Sequence, residues 1–189
     1  MPFTFTKLEI PEVILIKPQL FHDNRGYFAE VFKDTEFKKN GINHSFVQDN
    51  HSKSKKGVLR GLHYQKMPIP QGKLVQVIHG SIFDVAVDLR QGSPTYGKWV
   101  SAILSAENHH MLWVPPGFAH GFLSLEDNTD VMYKVTNEFK ADLDRSLRWN
   151  DPKINVEWPL KNPELSEKDK AAPAWNDADN NFTYEQLRG

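Results

Sequence analysis

Four side chains that exchange protons or carry positive charge lie within or beside apolar segments, at His63, Lys73, His120 and Tyr133. Imidazole titrates near neutral pH, and clustered titratable groups are typical of catalytic sites. Each residue alone also fits a simpler interpretation, as a hydrogen-bonded structural histidine, a core tyrosine or a surface lysine. The prediction of a catalytic site therefore depends on the combination, to which Asp169 adds a carboxylate unless that residue only caps a helix.

Two further segments place aromatic and polar side chains at alternate positions, which share one face of a strand. Residues 28–32 combine two phenylalanines with a glutamate, and residues 46–50 combine a phenylalanine with Gln48 and Asn50. A stacking ring beside hydrogen-bonding groups is typical of a site for a flat heterocycle. Arg25 follows Asp-Asn and precedes Gly, so a turn there would aim its guanidinium at a phosphate.

The elements that must position these residues are predicted to be mostly β-strands, because short apolar runs recur between Gly, Pro, Asn and Asp. In residues 82–89, IFDVAVDL, alternate apolar side chains share one face of a strand, and Asp84 and Asp88 share the other. Residues 79–80, His-Gly, supply a tight turn before this strand.

Residues 131–136 alternate in the same way, and this alternation places Tyr133 with the apolar side chains. Arg60 and His63 differ by an odd number of residues, so they would face opposite sides of a regular strand. Both reach one cavity only if Gly61 marks a bulge or a twist.

Helix signals are few. Asp34 is predicted to cap a short helix that ends at Gly41, and Ser166 with Asp169 fits a capping box for a C-terminal helix. The helices are therefore peripheral, and many short strands with closely spaced turns predict a sandwich or a barrel.

The 189 residues include 39% hydrophobic residues and no cysteine, and the formal charge is 23 − 24 = −1. These values predict one soluble globular domain over residues 1–189, with neither nucleic acid nor a membrane as partner. Residues 108–125 lack charged side chains but contain histidine, proline and glycine, so we expect a buried strand, a turn and a strand. The N-terminus does not resemble a signal peptide and a cysteine-free chain suits a reducing compartment, which predicts a cytoplasmic protein.

Residues 115–120, Pro-Pro-Gly-Phe-Ala-His, resemble the second motif of the cupin jelly roll, and residues 61–63 lie at a plausible distance upstream for the first. The predicted fold is an all-β, cupin-type double-stranded β-helix with a few short peripheral helices. Metal-binding cupins use a His-x-His pair, a following Glu and a later His, whereas residues 63–65 read His-Tyr-Gln. Two imidazoles make a poor metal site, so we predict no metal ligand.

Five longer segments resemble the dTDP-4-dehydrorhamnose 3,5-epimerase family, a metal-free group of cupins. They are DNRGYFAEVF (23–32), QDNHSKSKKGVLRGLHYQ (48–65), QGKLVQVIHGSIFDVAVDLR (71–90), VPPGFAHGF (114–122) and RSLRWNDPKINVEWP (145–159). The resemblance covers residues from about 3 to about 173. It implies an isomerase of dTDP-L-rhamnose biosynthesis, which serves cell-surface polysaccharide, and usually a homodimer.

The substrate that this resemblance implies is dTDP-4-dehydro-6-deoxy-D-glucose, whose C4 ketone acidifies the hydrogens on C3 and C5. His63 would be the base, Asp169 would orient its imidazole, and the C-terminal segment would therefore fold back over the barrel mouth. Tyr133 would be the opposing acid, and Lys73 would neutralise the enolate oxygen. We expect no redox cofactor, and Asp84 is a candidate to hold Lys73 in place.

The resemblance also implies a set of residues that bind the nucleotide sugar. Arg25, Phe28 and Glu30 would contact thymine and nearby groups, with the Arg25 segment lent across a dimer interface. Contacts to the phosphates and the sugar would come from Gln48, Asn50, Arg60 and His120, with Asp144 and Lys168 as outer binding residues. Arginine forks would explain how a chain of charge −1 binds a dianionic pyrophosphate.

The chain departs from the family pattern where Phe139 stands for a common second tyrosine and Asp144 for a common glutamate. Residues after 173 match no motif that we can use. Three alternatives stay open: a related mono-epimerase or 3,4-ketoisomerase acting on the same dTDP-sugar, a metal-dependent cupin, and a non-catalytic nucleotide-sugar binder.

Overall fold

A computed structural model describes residues 2–187 of the chain. Within this range the chain forms thirteen strands, three short α-helices and one 3-10 turn. The strands are β1 Phe3–Lys7, β2 Ile14–Pro18, β3 Phe21–Asp23, β4 Gly26–Phe28, β5 Gln48–Ser54, β6 Leu59–Gln65, β7 Lys73–His79, β8 Ser81–Asp88, β9 Trp99–Ser105, β10 Met111–Val114, β11 Phe118–Ser124, β12 Thr129–Val135 and β13 Asp144–Ser146. The helices are α1 Asp34–Lys39, α2 Glu167–Lys170 and α3 Tyr184–Leu187, and the 3-10 turn is Trp175–Asp177.

Two antiparallel sheets face each other, in strand orders β1-β2-β10-β7-β12-β5 and β13-β6-β11-β8-β9, and β3 pairs with β4 as a separate hairpin. The main apolar cluster lies between the sheets and draws on strands of both, as with Val75, Ala86, Phe122 and Val131. This arrangement is the predicted cupin jelly roll, in which the inward faces of two sheets make the core.

Strand β8 has the predicted alternation. Val85 and Val87 pack outward against the C-terminal segment, whereas Ala86 packs into the core between the sheets. Asp84 and Asp88 share the face of Ala86, and both are completely buried. The two carboxylates therefore lie inside the barrel, where each must find hydrogen-bond partners.

Strand β6 contains the bulge that the sequence required if Arg60 and His63 were to reach one cavity. His120 pairs with His63, while Phe122 pairs with Arg60, so two residues of β6 oppose one residue of β11. Gly61 has φ +129°, and a Cβ atom there would lie 2.5 Å from the Cα of Gly121. Glycine at this position lets the two backbones approach, and the bulge brings Arg60 and His63 to the same cavity.

The helix predictions had different outcomes. Asp34 is the first residue of α1 rather than its cap; the N-cap is Lys33, and no side chain caps the helix. Asp34 instead pairs with Lys38 one turn later, at 2.9 Å. The prediction for α2 is confirmed, because the Ser166 hydroxyl accepts a hydrogen bond from the Asp169 backbone N–H at 3.1 Å.

The outer faces of the two sheets are covered differently. Residues 147–182 pack over the five-stranded sheet, and α1 packs over β1, β2, β7 and β10 of the other sheet. Residues 108–125 form the predicted strand, turn and strand. No helix among residues 2–187 is long and apolar enough to cross a membrane.

Candidate active site

A cavity of about 490 Å³ opens at one end of the barrel. Strands β5, β6, β7, β11 and β12 supply its walls, and residues 164–169 close one side. Its size suits a sugar and part of a nucleotide. Six predicted site residues line it: Arg60, His63, Lys73, His120, Tyr133 and Asp169.

The imidazole of His63 and the carboxylate of Asp169 are in direct polar contact, with 2.5 Å between Nε2 and Oδ1. The second oxygen of Asp169 accepts a hydrogen bond from the Ser166 hydroxyl at 2.8 Å. Burial raises the pKa of Asp169, but the hydrogen bonds from His63 and Ser166 outweigh it, and the pKa lies below its usual value. Asp169 is therefore ionised and fixed in position at neutral pH.

Burial lowers the pKa of His63, and its bond to Asp169 offsets only part of this effect. The imidazole is therefore mainly neutral at pH 7. Because a carboxylate only accepts, Nε2 carries the proton and donates it to Asp169. The lone pair of the neutral ring is then on Nδ1, which is the atom available to act as a base.

Tyr133 lies on the inward face of β12, packed against the core between the sheets. It is directly opposite Asn50 of β5 in the strand register. Burial raises the pKa of the phenol. The hydroxyl therefore stays protonated through the physiological pH range and can donate a proton.

Lys73 is the first residue of β7 and reaches the same cavity. Burial lowers its pKa to about 8, although the charges of Asp144 and Asp84 partly oppose this shift. The prediction that Asp84 holds Lys73 by direct contact was wrong. Asp84 Oδ1 is 2.6 Å from His120 Nε2, and Oδ2 has no hydrogen-bond partner among the described residues. Asp84 influences Lys73 through its charge only, and Lys73 is a cation at pH 7 beside the neutral imidazole.

Arg60 is held by the neighbouring strand β5. Its Nε donates to the Ser54 hydroxyl at 3.1 Å, and its Nη2 donates to the Lys53 carbonyl at 3.1 Å. Three of its five N–H groups have no role in these two bonds. The side chain is therefore anchored at the cavity wall while donors stay free for an anion.

The other predicted binding residues of the barrel lie close to this cavity but outside its lining. Gln48 and Asn50 hydrogen-bond each other at 2.9 Å, and Gln48 Oε1 also accepts the backbone N–H of Phe139 at 3.0 Å. Asp144 and Lys168 form an ion pair with each other. The charge of Lys168 acts on His63, so this pair lies at the rim of the site.

Arg25, Phe28 and Glu30 are not brought to the cavity of their own chain. The predicted turn exists, since Asp23 accepts the backbone N–H of Arg25 at 2.8 Å. The guanidinium and the Phe28 ring are exposed, at 85% for the arginine side chain and 67% for the phenylalanine. No residue of this hairpin, β3–β4, lines the cavity that its own chain forms.

Sequence reasoning missed the roles that serines play in the cavity wall. Ser166 fixes the second oxygen of Asp169, and Ser52 lines the cavity from the inward face of β5. Parity with Asn50 would have placed Ser52 on that face. For metals, residues 2–187 contain no cluster of three His, Asp or Glu side chains that would hold an ion. The absence of a metal stays a prediction.

The family model for dTDP-4-dehydrorhamnose 3,5-epimerase matches residues 7–177. The chain is 54% identical over 171 residues to the enzyme of that name from Neisseria gonorrhoeae, covering 90% of this chain and 52% of that one. It therefore spans about half the length of that relative. It is 52% identical over 174 residues to the Shigella flexneri protein of the same name, covering 92% of this chain and 96% of that one.

Two solved structures extend the comparison. The dTDP-6-deoxy-D-glucose-3,5-epimerase from Legionella pneumophila, in complex with dTDP-4-keto-L-rhamnose, has a TM-score of 0.89 and 46% identity, covering 92% of this chain and 93% of that one. A 3'-monoepimerase from Streptomyces bikiniensis, in complex with dTDP-quinovose, has a TM-score of 0.83 and 32% identity, covering 88% and 85%. From these matches, the chain belongs to the dTDP-4-dehydrorhamnose 3,5-epimerase family.

Proposed function

We propose that the protein converts dTDP-4-dehydro-6-deoxy-D-glucose to dTDP-4-dehydro-L-rhamnose by inverting C3 and C5. The observation that carries this proposal is that one cavity holds a carboxylate-bound neutral imidazole, a protonated phenol and a cation. These groups are the ones that proton abstraction next to a ketone requires. Family membership supplies the substrate class.

The step at each carbon is the same. His63 Nδ1 removes the proton, the C–H electron pair forms the C=C bond of an enolate, and the negative charge moves to the C4 oxygen. The ammonium of Lys73 stabilises that oxyanion, and Asp169 stabilises the imidazolium. Tyr133 then donates its phenolic proton to the opposite face of the carbon. The imidazolium loses a proton and the phenolate gains one, so no net proton is consumed.

We assign binding of the nucleotide part of the substrate to the cationic and amide side chains around the cavity. Arg60, with free donors at the wall, and His120 would contact the pyrophosphate and the sugar, and Gln48 with Asn50 would complete those contacts. Lys168 with Asp144 would contact the outer part of the ligand at the rim. Arginine suits this role because its planar donors match phosphate oxygens.

We propose a homodimer in which a second copy supplies Arg25, Phe28 and Glu30 to this site. The outer face of β7 and β12 supports the proposal, because Ile78 and Met132 are exposed there beside the part covered by α1. The exposed aromatic hairpin continues this apolar surface, and such patches are typical of interfaces between subunits.

Complementation tests the shared site. Arg25→Ala and His63→Ala homodimers should both be inactive, and subunit exchange between them should restore about a quarter of wild-type activity, because half of the dimers regain one intact site. A monomeric protein in analytical ultracentrifugation, or a mixture as inactive as its parents, would refute the lent hairpin.

A second candidate function is inversion of one centre only, which the likeness to the 3'-monoepimerase favours. Turnover in deuterated water separates the two. We expect deuterium at both C3 and C5 and an L-rhamno product by NMR. Deuterium at one carbon alone would establish a mono-epimerase, and a ketone moved to C3 would establish a 3,4-ketoisomerase.

We further propose that residues 1–189 act as one cupin domain in the cytoplasm, without metal or cofactor and without nucleic acid as partner. The two site histidines support the metal-free mechanism, because His63 and His120 each bind a carboxylate. Turnover should survive dialysis against a chelator, and elemental analysis of the active protein should find no stoichiometric metal. Activity that needs added metal would favour a metal-dependent cupin.

A further inference from the structure

Among the residues that the structure describes, three buried side-chain polar atoms have no hydrogen-bond partner, namely Ser52 Oγ, Asp84 Oδ2 and Ser146 Oγ. Buried polar atoms are almost always paired, since leaving one unpaired costs free energy. Of the three residues, only Ser52 lines the cavity. The hydroxyl oxygen itself is shielded from solvent, and rotation about χ1 is the movement that would turn it toward a ligand in that space.

The register of β5 and β12 locates Ser52 between two functional groups. Ser52 is opposite Val131, and the next inward pair along the strands is Asn50 with Tyr133. Diagonal neighbours of this kind lie within side-chain reach of each other. Two residues on, Ser54 holds the Nε of Arg60 at 3.1 Å. Ser52 therefore lies between the phenol and the anchored guanidinium.

The chemistry of its neighbours indicates which part of the ligand Ser52 meets. Arg60 and Lys73 are two of the four lysine and arginine residues of the cavity lining, and they match the pyrophosphate and the enolate oxygen. A serine hydroxyl is neutral and both donates and accepts, as does the hydroxyl of a sugar. The wall between the two cations and the phenol thus offers a neutral group where a neutral sugar would pass.

We propose that Ser52 is a substrate-contacting residue whose hydroxyl hydrogen-bonds the hexose of the dTDP-sugar. This inference rests on the proposed function for the identity of the ligand. Ser52 holds the sugar on the side of Tyr133 and makes no contact with the nucleotide. Its hydroxyl gains a partner when the sugar enters, so it discriminates dTDP-sugars from dTDP.

The test compares Ser52→Ala with Ser146→Ala. Ser146 is a matched control, because its hydroxyl is also buried and unpartnered and its strand position is next to His63, but it does not line the cavity. Ser52→Ala should lower kcat/KM about 3- to 10-fold, the range for loss of one hydrogen bond to an uncharged group. Its dTDP affinity and its Tm should match those of the wild type. Ser146→Ala should match the wild type in kcat/KM.

Calorimetry with dTDP-glucose, a sugar nucleotide without the reactive ketone, makes the test independent of turnover. Ser52→Ala should weaken dTDP-glucose binding by the same 3- to 10-fold factor and leave dTDP binding unchanged. Equal losses for dTDP and dTDP-glucose would overturn the sugar contact, as would unchanged affinity for both. An inactive wild type that shows the expected binding pattern would refute the proposed reaction but not this contact.

Discussion

Strand β8 carries two aspartates on one face, four residues apart, and their surroundings differ sharply. Asp84 and Asp88 are both completely buried in the barrel. Asp88 has every acceptor position in use, whereas one oxygen of Asp84 has no partner among the described residues. Identical residues on a single strand thus separate a structural end of the barrel from a chemical end.

The structural end is a closed network. Asp88 Oδ1 accepts from the backbone N–H and the Nε of Arg90, both at 2.9 Å. Its Oδ2 accepts from Arg90 Nη2 at 2.8 Å and from the hydroxyls of Ser93 and Thr95, both at 2.6 Å. Arg90 Nη1 forms an ion pair with Glu12 Oε1 at 2.8 Å. Burial would raise the pKa of Asp88, but these bonds outweigh it, and the pKa is lowered.

At the chemical end, Asp84 accepts one bond from His120 and leaves Oδ2 free, close enough to Lys73 to raise the pKa of that lysine. Polar groups there, such as Asp84 Oδ2 and the guanidinium of Arg60, have acceptors or donors that no described residue uses. A satisfied network contributes rigidity, and an unsatisfied one is a cost that a ligand can offset. The difference indicates where the barrel binds its substrate.

The largest expected effect is that of His63→Ala, because it removes the proposed base at the chemical end. Acid–base catalysis contributes about 10² to 10⁴ in rate, so turnover should fall by about that factor. Binding of dTDP should be nearly unchanged, because the imidazole acts on the sugar. Kinetics and calorimetry measure the two quantities, and wild-type-like turnover would refute the assignment.

Asp88→Asn tests the structural end. Removing the buried carboxylate leaves Arg90 with the partly exposed Glu12 as its remaining acidic partner and should cost up to about 3–5 kcal/mol of unfolding free energy. Urea denaturation measures this loss. The folded fraction should keep the kcat/KM of the wild type, and a large loss of activity in fully folded protein would remove the distinction between the two ends.

Asp84→Asn is the matched change at the chemical end. We expect the unfolding free energy to change by less than about 1 kcal/mol, because no closed network is broken there. Loss of the negative charge should lower the pKa of Lys73 further. The alkaline limb of kcat/KM against pH should therefore move to lower pH, and an unmoved limb would show that Asp84 does not act on Lys73.

Lys73→Met tests whether Lys73 is the group that causes the alkaline limb of the pH profile. In the wild type the ammonium deprotonates as pH rises through about 8, so kcat/KM should fall above that pH. The raised pKa of Tyr133 excludes the phenol as the cause. The residual activity of Lys73→Met should lack this limb. Persistence of a limb near pH 8 would assign it to another group.

Local patterns predicted the strands well. The alternation along residues 82–89 and 131–136, the bulge at Gly61 and the cap of α2 all follow from side-chain periodicity and backbone sterics, which act over a few residues. The prediction that Asp34 caps α1 was wrong, because Asp34 lies inside the helix and pairs with Lys38. Competing local bonds of similar strength decide such boundaries.

The site was predicted through resemblance rather than through periodicity. His63 and Asp169 are 106 residues apart, and no local pattern relates them. The partner of Asp84 and the network around Arg90 also depend on which strands become neighbours in the barrel. Such contacts are decided by the packing of the whole chain, and Ser52 became visible only when the register of β5 and β12 was known.

The most direct test of the account is hydrogen exchange by Tyr133→Phe in deuterated water. The proposed removal of protons by His63 and their return by Tyr133 from opposite faces, at each carbon, predict that the variant still exchanges the hydrogens on C3 and C5 with solvent while inversion of both centres is blocked. NMR of the sugar measures both. Complete loss of exchange, with dTDP binding intact, would contradict a role for Tyr133 as the acid alone.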